Sequence, residues 1–210
     1  DVYKRQHDTV VAAAVSDAAA AVYAELLPAE QVRYVTDAPM GHNFPARGSG
    51  NPCDSFVTPF VGDCDYDAAG ELLRWLYPGL ENPDSAAAGP LVEVALDGAE
   101  AAGLLPVAYL FVPPACDGEA TACPLHLVMH GCAQSSAQTG TAFIEQSGYL
   151  AWAAANDIIM AFPQVAPAAA NPLGCWDWWG YTGSDYLWRN APQMKLLVDW
   201  IESMSGGSIR

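Results

Sequence analysis

A general base, an acid to orient it and a backbone oxyanion donor can each be assigned to a short stretch of this chain. The loop Gly41-His42-Asn43-Phe44-Pro45 sets a histidine between a glycine and a proline, as suits a base carried on a turn. A histidine used in this way needs a carboxylate to hold its tautomer and to stabilise the imidazolium it becomes. Asp8, in His7-Asp8-Thr9-Val10-Val11, is the candidate. It stands just ahead of a helical segment, so capping that helix is an equal reading, as a plain surface position is for His42. Further on, the apolar run Leu125-His126-Leu127-Val128-Met129 enters the turn His130-Gly131-Cys132-Ala133-Gln134-Ser135. A buried strand ending in His-Gly makes a tight turn, because glycine tolerates unusual φ and close approach. Such a turn aims backbone N–H groups at a developing oxyanion, and the N–H of Cys132 is the best candidate donor. The alternative is an ordinary turn with His130 buried and satisfied.

The nucleophile is the gap. No Gly-x-Ser-x-Gly occurs, and no serine has the strand–elbow–helix setting that activates one. Ser147 precedes Gly148 inside a predicted helix, Ser184 follows Gly183 with no strand before it, and Ser49 lies in a Gly-Ser-Gly. Cys132 is better accounted for by a disulfide with Cys175 than as a thiol nucleophile. Residues 125–135 resemble the oxyanion strand and turn of a serine esterase of the α/β-hydrolase type, and residues 41–45 resemble its histidine loop. In most such enzymes the oxyanion strand comes first, and the acid and histidine follow the nucleophile. Here the order is acid, histidine, oxyanion strand, so the parts read as permuted.

These groups need a framework. Residues 10–26 are alanine-rich with Val11, Val15, Val22 and Leu26 at helical spacing, and residues 31–36 alternate as a short strand. Asp8 and His42 are then joined by turn, helix, strand and loop. Residues 43–66 read as irregular chain held by a disulfide. Residues 67–77 read as a helix capped by Asp67 and stopped by Pro78, with Leu72, Leu73, Leu76 and Tyr77 on its apolar face. A linker over 83–90 leads to strands at 91–96 and 106–112. The continuous apolar run 124–130 predicts a strand buried on both faces, followed by a helix over 143–155 and another buried strand over 157–163. A Pro-, Gly- and Trp-rich loop over 164–189 and a closing helix over 192–204 complete the chain. Strand, helix, strand, helix in the second half points to a parallel sheet with crossover helices.

The loop before that last helix holds Cys175-Trp176-Asp177-Trp178-Trp179-Gly180-Tyr181. With Trp188 it carries four of the seven tryptophans. Exposed aromatics there, Trp176, Trp178, Trp179 and Tyr181, would suit an apolar polyester or lipid, or sugar rings. Packing of the loop onto the body is the plainer use.

The 210 residues suffice for one domain with a core. A net charge of −16 argues against nucleic acid or an anionic membrane as partner. No apolar run approaches the roughly 18 residues of a membrane span. The six cysteines form no C-x-x-C pair and no zinc-spaced cluster, so neither metal nor cofactor is expected. An even count suggests disulfides and an oxidising compartment. Six cysteines allow 15 pairings. Cys53 with Cys64 and Cys116 with Cys123 bracket turn-rich loops, which leaves Cys132 with Cys175. Buried free thiols are the alternative.

Several further stretches share one likeness: Asn51-Pro52-Cys53, Cys64-Asp65-Tyr66-Asp67-Ala68-Ala69-Gly70, Gly148-Tyr149, Phe162-Pro163-Gln164 and Gly174-Cys175-Trp176-Asp177-Trp178. With residues 41–45 and 125–135 they resemble the extracellular poly(3-hydroxybutyrate) depolymerase family, in particular its branch with a circularly permuted catalytic domain. The resemblance runs over about residues 7–205. It implies an α/β fold, α/β-hydrolase-like and circularly permuted, incomplete here because the nucleophile strand and elbow are missing. It also implies Asp8 as acid, His42 as base, the Cys132 N–H in the oxyanion hole, a secreted enzyme and a polyhydroxyalkanoate substrate cleaved by a Ser-His-Asp mechanism. The family's disulfide layout agrees with the three pairs above. The serine is expected upstream of Asp8, with residues 1–6 a non-native scar and 7–210 a single partial catalytic domain. Two other readings stay open. One is an inactive module that adsorbs polymer or glycan through the aromatic loop; the other is a feruloyl or acetyl-xylan esterase on the same fold.

Overall fold

The computed structural model describes residues 2–3, 7–36, 39–84, 89–117 and 123–205. In chain order the elements are β1 (Val2–Tyr3), α1 (Ala13–Leu26), β2 (Tyr34–Val35), β3 (Phe44–Ala46), β4 (Asn51–Pro52), β5 (Val61–Asp63) and α2 (Ala68–Leu76). There follow β6 (Leu91–Ala95), β7 (Leu104–Phe111), β8 (Leu125–Leu127), α3 (Ser136–Thr139), α4 (Ala142–Gln146), α5 (Tyr149–Ala155), β9 (Ile159–Val165) and α6 (Pro192–Ser205). Contacts divide the chain into two units, Asp1–Asn82 with Ala142–Trp152, and Pro83–Thr141 with Ala153–Arg210. Of the expected scar over 1–6, residues 1 and 4–6 lie outside the described residues. So do 85–88 of the expected linker and 118–122 of the Cys116–Cys123 loop.

In the first unit β1 and β2 pair in parallel, Val2 opposite Tyr34 and Tyr3 opposite Val35, with α1 as their crossover. Helix α1 begins later than its spacing predicts, because the turn before it is held by Asp8. Its valines do not form the packed face: Val15, Val22 and Leu26 are exposed, and Ala20 is buried instead. The expected strand over 31–36 shrinks to Tyr34–Val35, since Ala29–Gln31 closes a 3-10 turn.

Residues 43–66 are more regular than expected. They hold a three-stranded parallel sheet in the order β3-β5-β4, with Phe44 opposite Val61 and Asn51 opposite Gly62. Strands of two or three residues are too short to show a period. Helix α2 is capped as expected, Asp67 accepting the Gly70 N–H at 2.9 Å. The other Asp67 oxygen accepts the Trp152 indole N–H at 2.8 Å, tying α5 to α2. The helix expected over 143–155 is broken into α4 and α5, with Gly148 at φ +91° between them. Phe44 packs against Phe143 and Tyr149 across this joint.

The second unit is built on a mixed sheet in the order β6-β7-β9-β8. Only β8 and β9 pair in parallel, through a long connection that includes α3, α4 and α5. That pair is the parallel strand–helix–strand unit expected in the second half; β6 and β7 join the same sheet antiparallel, β6 to β7 and β7 to β9. The reason is the connection from β6 to β7: residues 96–103 hold a 3-10 turn flanked by left-handed Gly98 and Gly103, far too short for a crossover. Strand β9 is buried from Met160 to Val165. By contrast β8 stands at the end of the order and is half-buried along its length, not covered on both faces as expected. Leu96, Ala99, Ala102, Leu104, Ala108 and Val165 form a core that Leu197 of α6 closes, with Trp176 against it.

Candidate active site

Parallel pairing of β1 and β2 sends both chains out at the same end of the strands. Asp8 follows β1 and His42 follows β2, and the two turns are stitched together by the His7 N–H donating to the Met40 carbonyl at 3.0 Å. Asp8 Oδ2 then lies 2.8 Å from His42 Nδ1. A carboxylate has no proton to give, so Nδ1 carries the hydrogen and Nε2 is left as the acceptor. The Asp8 side chain is 2% exposed and that of His42 32%. Oδ1 of Asp8 accepts the N–H groups of Val10 and Val11, both at 2.8 Å. Helix α1 takes Ala12 as its N-cap. Asp8 therefore pins the turn ahead of the helix with one oxygen and holds the histidine with the other. Burial acts most strongly on this carboxyl and pushes its pKa up; the Val11 N–H, the His42 ring and the Val10 N–H outweigh it and hold it below the usual value.

The histidine loop is fixed by its neighbours. A Cβ on Gly41 would stand 2.9 Å from the Asp54 carbonyl oxygen, so only glycine fits this approach. Asn43 is buried and donates through Nδ2 to the carbonyls of Cys53 at 2.8 Å and Ser55 at 3.2 Å. Its part in holding the loop was not legible beforehand. A buried amide beside His42 has no sequence signal other than its place next to the apolar Phe44-Pro45.

The second unit holds the turn that follows β8. The Gly131 N–H donates to Gln134 Oε1 at 2.7 Å, and the Ala133 N–H to the Leu173 carbonyl at 2.6 Å. Gly131 does not take the unusual φ expected of it; a Cβ there would meet Gln134 Oε1 at 2.7 Å, the far end of a flexible side chain, and the left-handed residue is Ala133 at φ +60°. The Cys132 N–H, in an exposed position, donates to no acceptor among the described residues. It is the free donor of the turn. His130 is buried and bonded, its Nδ1 lying 2.7 Å from the Gly131 carbonyl, so it braces the turn from beneath.

The aromatic loop leaves from the Cys132–Cys175 disulfide, and the other two expected pairs, Cys53–Cys64 and Cys116–Cys123, are also formed. Trp176 turns inward and donates its indole N–H to the His130 carbonyl at 2.9 Å. Trp178 is 70% exposed and stacks edge-on to Trp179, which leans on Tyr181. The Tyr181 hydroxyl donates to the Cys175 carbonyl at 2.8 Å. At the centre is Asp177, missed as anything but part of a motif. Oδ1 accepts the N–H groups of Trp179, Gly180 and Tyr181, and Oδ2 accepts the N–H and hydroxyl of Thr182.

Two solved structures align with nearly the whole chain. A PHB depolymerase from Penicillium funiculosum superposes with a TM-score of 0.92 at 31% identity, covering 99% of this chain and 70% of that one. A serine-to-alanine PHB depolymerase complexed with an R3HB trimer superposes with a TM-score of 0.91 at 31% identity and the same coverage. The chain belongs to the PHB depolymerase family. Among curated proteins, the poly(3-hydroxybutyrate) depolymerase of Delftia acidovorans is 35% identical over 208 residues, covering 96% of this chain and 42% of its own length. The polyhydroxybutyrate depolymerase of Talaromyces funiculosus is 35% identical over 192 residues, covering 84% of this chain and 57% of its own. This chain thus spans about half the length of the curated relatives it matches. No family model matches it.

As a PHB depolymerase family member the chain has an α/β-hydrolase-like fold. Asp8 and His42 are brought together in the first unit. Cys132, Trp176, Trp178, Trp179 and Tyr181 belong to the second, where one disulfide joins the turn after β8 to the aromatic loop. Among the described residues no cluster of His, Cys, Asp or Glu is arranged to hold a metal ion, and no helix is long and apolar enough to cross a membrane.

Proposed function

We propose that this chain carries the acid, base and oxyanion donor of a secreted serine carboxylic ester hydrolase that cleaves poly(3-hydroxybutyrate) and related polyhydroxyalkanoates. The observation that carries the reading is the Asp8–His42 pair, with Nδ1 protonated against a buried carboxylate and Nε2 free to accept. A serine supplied from outside these 210 residues gives its proton to Nε2 as its oxygen bonds to the ester carbonyl carbon. Asp8 stabilises the imidazolium so formed. The Cys132 N–H, free of any other acceptor, stabilises the negative charge on the carbonyl oxygen. Collapse breaks the bond to the alcohol, and His42 returns the proton to the departing oxygen. Water then repeats the cycle on the acyl-serine.

Trp178, Trp179 and Tyr181 are assigned to the polyester chain, with Trp176 supporting them from beneath. The acid, histidine and oxyanion turn fall in the permuted order, which supports a circularly permuted, single catalytic domain. Three disulfides support an extracellular setting. The solved relative complexed with an R3HB trimer supports the substrate class.

The test is hydrolysis of (R)-3-hydroxybutyrate oligomers by the full-length, serine-bearing protein. Turnover lost in His42→Ala supports the reading. A fully active His42→Ala protein overturns it. The exposure of Trp178 favours one other reading, polymer adsorption without catalysis. Tight binding to polyester granules, with no ester cleavage when the serine is present, would select it.

A further inference from the structure

We infer that Phe56 is a specificity-determining contact for the alcohol half of the ester, the half that leaves. The inference rests on the esterase reading and takes it one step further, to a side chain outside the acid, base and oxyanion set.

The loop closed by Cys53 and Cys64 leaves Phe56 49% and Val57 52% exposed. Single exposed apolar side chains are ordinary on any surface. These two are distinguished by how firmly they are held. The Ser55 N–H and hydroxyl both donate to the Pro52 carbonyl, at 2.9 and 2.6 Å. Asn51 Nδ2 donates to the carbonyls of Val57 and Thr58, each at 3.1 Å. The Phe60 N–H donates to the Val57 carbonyl at 2.8 Å, and the Phe60 ring backs that of Phe56 at 5.0 Å. A ring held open in this way loses little freedom when a ligand covers it.

Position gives the ring its use. Phe56 stands edge-on to the His42 imidazole, with centroids 5.4 Å apart and planes at 76°. During hydrolysis the alcohol oxygen takes its proton from His42 Nε2, so it must come within hydrogen-bond reach of that nitrogen. The carbons attached to that oxygen then lie against whatever flanks the imidazole, and Phe56 flanks it. In a 3-hydroxyalkanoate the first of these carbons bears an alkyl branch, the methyl group of 3-hydroxybutyrate. An exposed aromatic ring is a suitable surface for it. A leaving group as small as methanol carries no such branch.

The experiment compares two esters cleaved by the full-length, serine-bearing protein: the (R)-3-hydroxybutyrate dimer and methyl (R)-3-hydroxybutyrate. Phe56→Ala should lower the ratio of their kcat/KM values, dimer over methyl ester, by about tenfold. Phe56→Leu, which keeps an apolar side chain of similar reach, should keep most of the ratio. An unchanged ratio in Phe56→Ala, whether both rates fall or neither does, overturns the inference and leaves Phe56 a support for His42. Full turnover in His42→Ala would instead remove the esterase reading beneath it.

Discussion

Val165 donates its backbone N–H to Nε2 of His130 across 3.1 Å. A ring nitrogen that accepts a hydrogen bond holds no proton, so His130 is neutral, with its hydrogen on Nδ1 facing the Gly131 carbonyl. One buried imidazole thus joins the last residue of β9 to the turn after β8. Burial drives its pKa down, against the opposing pull of the Gly131 carbonyl. Protonation would turn the acceptor into a donor aimed at another N–H.

Folding stability should therefore fall as the pH drops below the ordinary histidine value of 6.5. Half-buried His126 in β8 is shifted the same way by burial. Between the depressed folded pKa values and 6.5 the unfolded chain binds more protons than the folded one, so stability rises with pH across that window. The contribution is complete above the window and lost as the pH falls through it. Urea midpoints measured from about pH 7.5 to about pH 5 give the slope. His130→Gln, with one titrating group fewer, should show a shallower one. A midpoint that does not move over this range would count against a neutral, buried His130.

The legible parts of the site were those in which chemistry demands a residue type. A base needs an acid, and Asp8 was offered by the turn, helix, strand and loop that join it to His42; the strand β1 ahead of it was not legible. Spacing could not separate a structural from a histidine-orienting role at Asp8, because one of its oxygens holds the turn ahead of α1 and the other meets His42. Val15, Val22 and Leu26 misled because helical spacing reports that a face exists, not that something covers it. The direction of β6 and β7 was hidden in a turn whose glycines fix its shape without any period. Asn43 and Asp177 stand inside motifs but have no residue-type signal for the backbone groups they gather, and Phe56 lies in no motif, so their contacts emerge only once the loops are closed.

Asp8→Asn separates the two duties of that carboxylate. The amide oxygen can still accept the Val10 and Val11 N–H groups, so the turn should survive and thermal unfolding should shift little. Its NH2, however, would donate to His42 Nδ1 and force the ring hydrogen onto Nε2, where no base remains. In the serine-bearing protein kcat should fall by roughly 10⁴ while KM changes little. A variant that unfolds as readily as it loses activity would make Asp8 a structural residue.

Asp177→Ala should release the aromatic loop. Five donors lose their acceptor at once, and the carboxylate that gathers them is held below its usual pKa: burial pushes it up, and the Thr182, Gly180 and Tyr181 bonds outweigh that. Removing such a hub costs about 2 kcal/mol of local order. Tryptophan fluorescence should broaden and polyester binding should weaken, with kcat on a short ester much less affected. Asp177→Asn, which keeps an acceptor for the N–H groups, should lie between.

The 210 residues on their own should show essentially no ester turnover. The requirement is a hydroxyl that can give its proton to His42, and the serines that sequence inspection singles out fail it for identifiable reasons. Ser147 is buried and its hydroxyl donates to the Ile144 carbonyl at 3.4 Å. Ser49 donates to the Gln146 carbonyl at 2.6 Å. Ser184 is exposed but sits in the aromatic loop, with no strand–elbow–helix setting to activate it. His42 itself hydrogen-bonds Asp8 and no other side chain among the described residues. An acid and a base with no nucleophile leave only the weak polarising effect of the Cys132 N–H, orders of magnitude below a complete triad. Assayed against (R)-3-hydroxybutyrate oligomers, the chain should match buffer within error. The serine-bearing protein should turn them over, and His42→Ala should return it to background. Robust turnover by the 210 residues alone, lost in His42→Ala, would mean that one of these serines moves to His42 in solution; mutating each in turn would identify it.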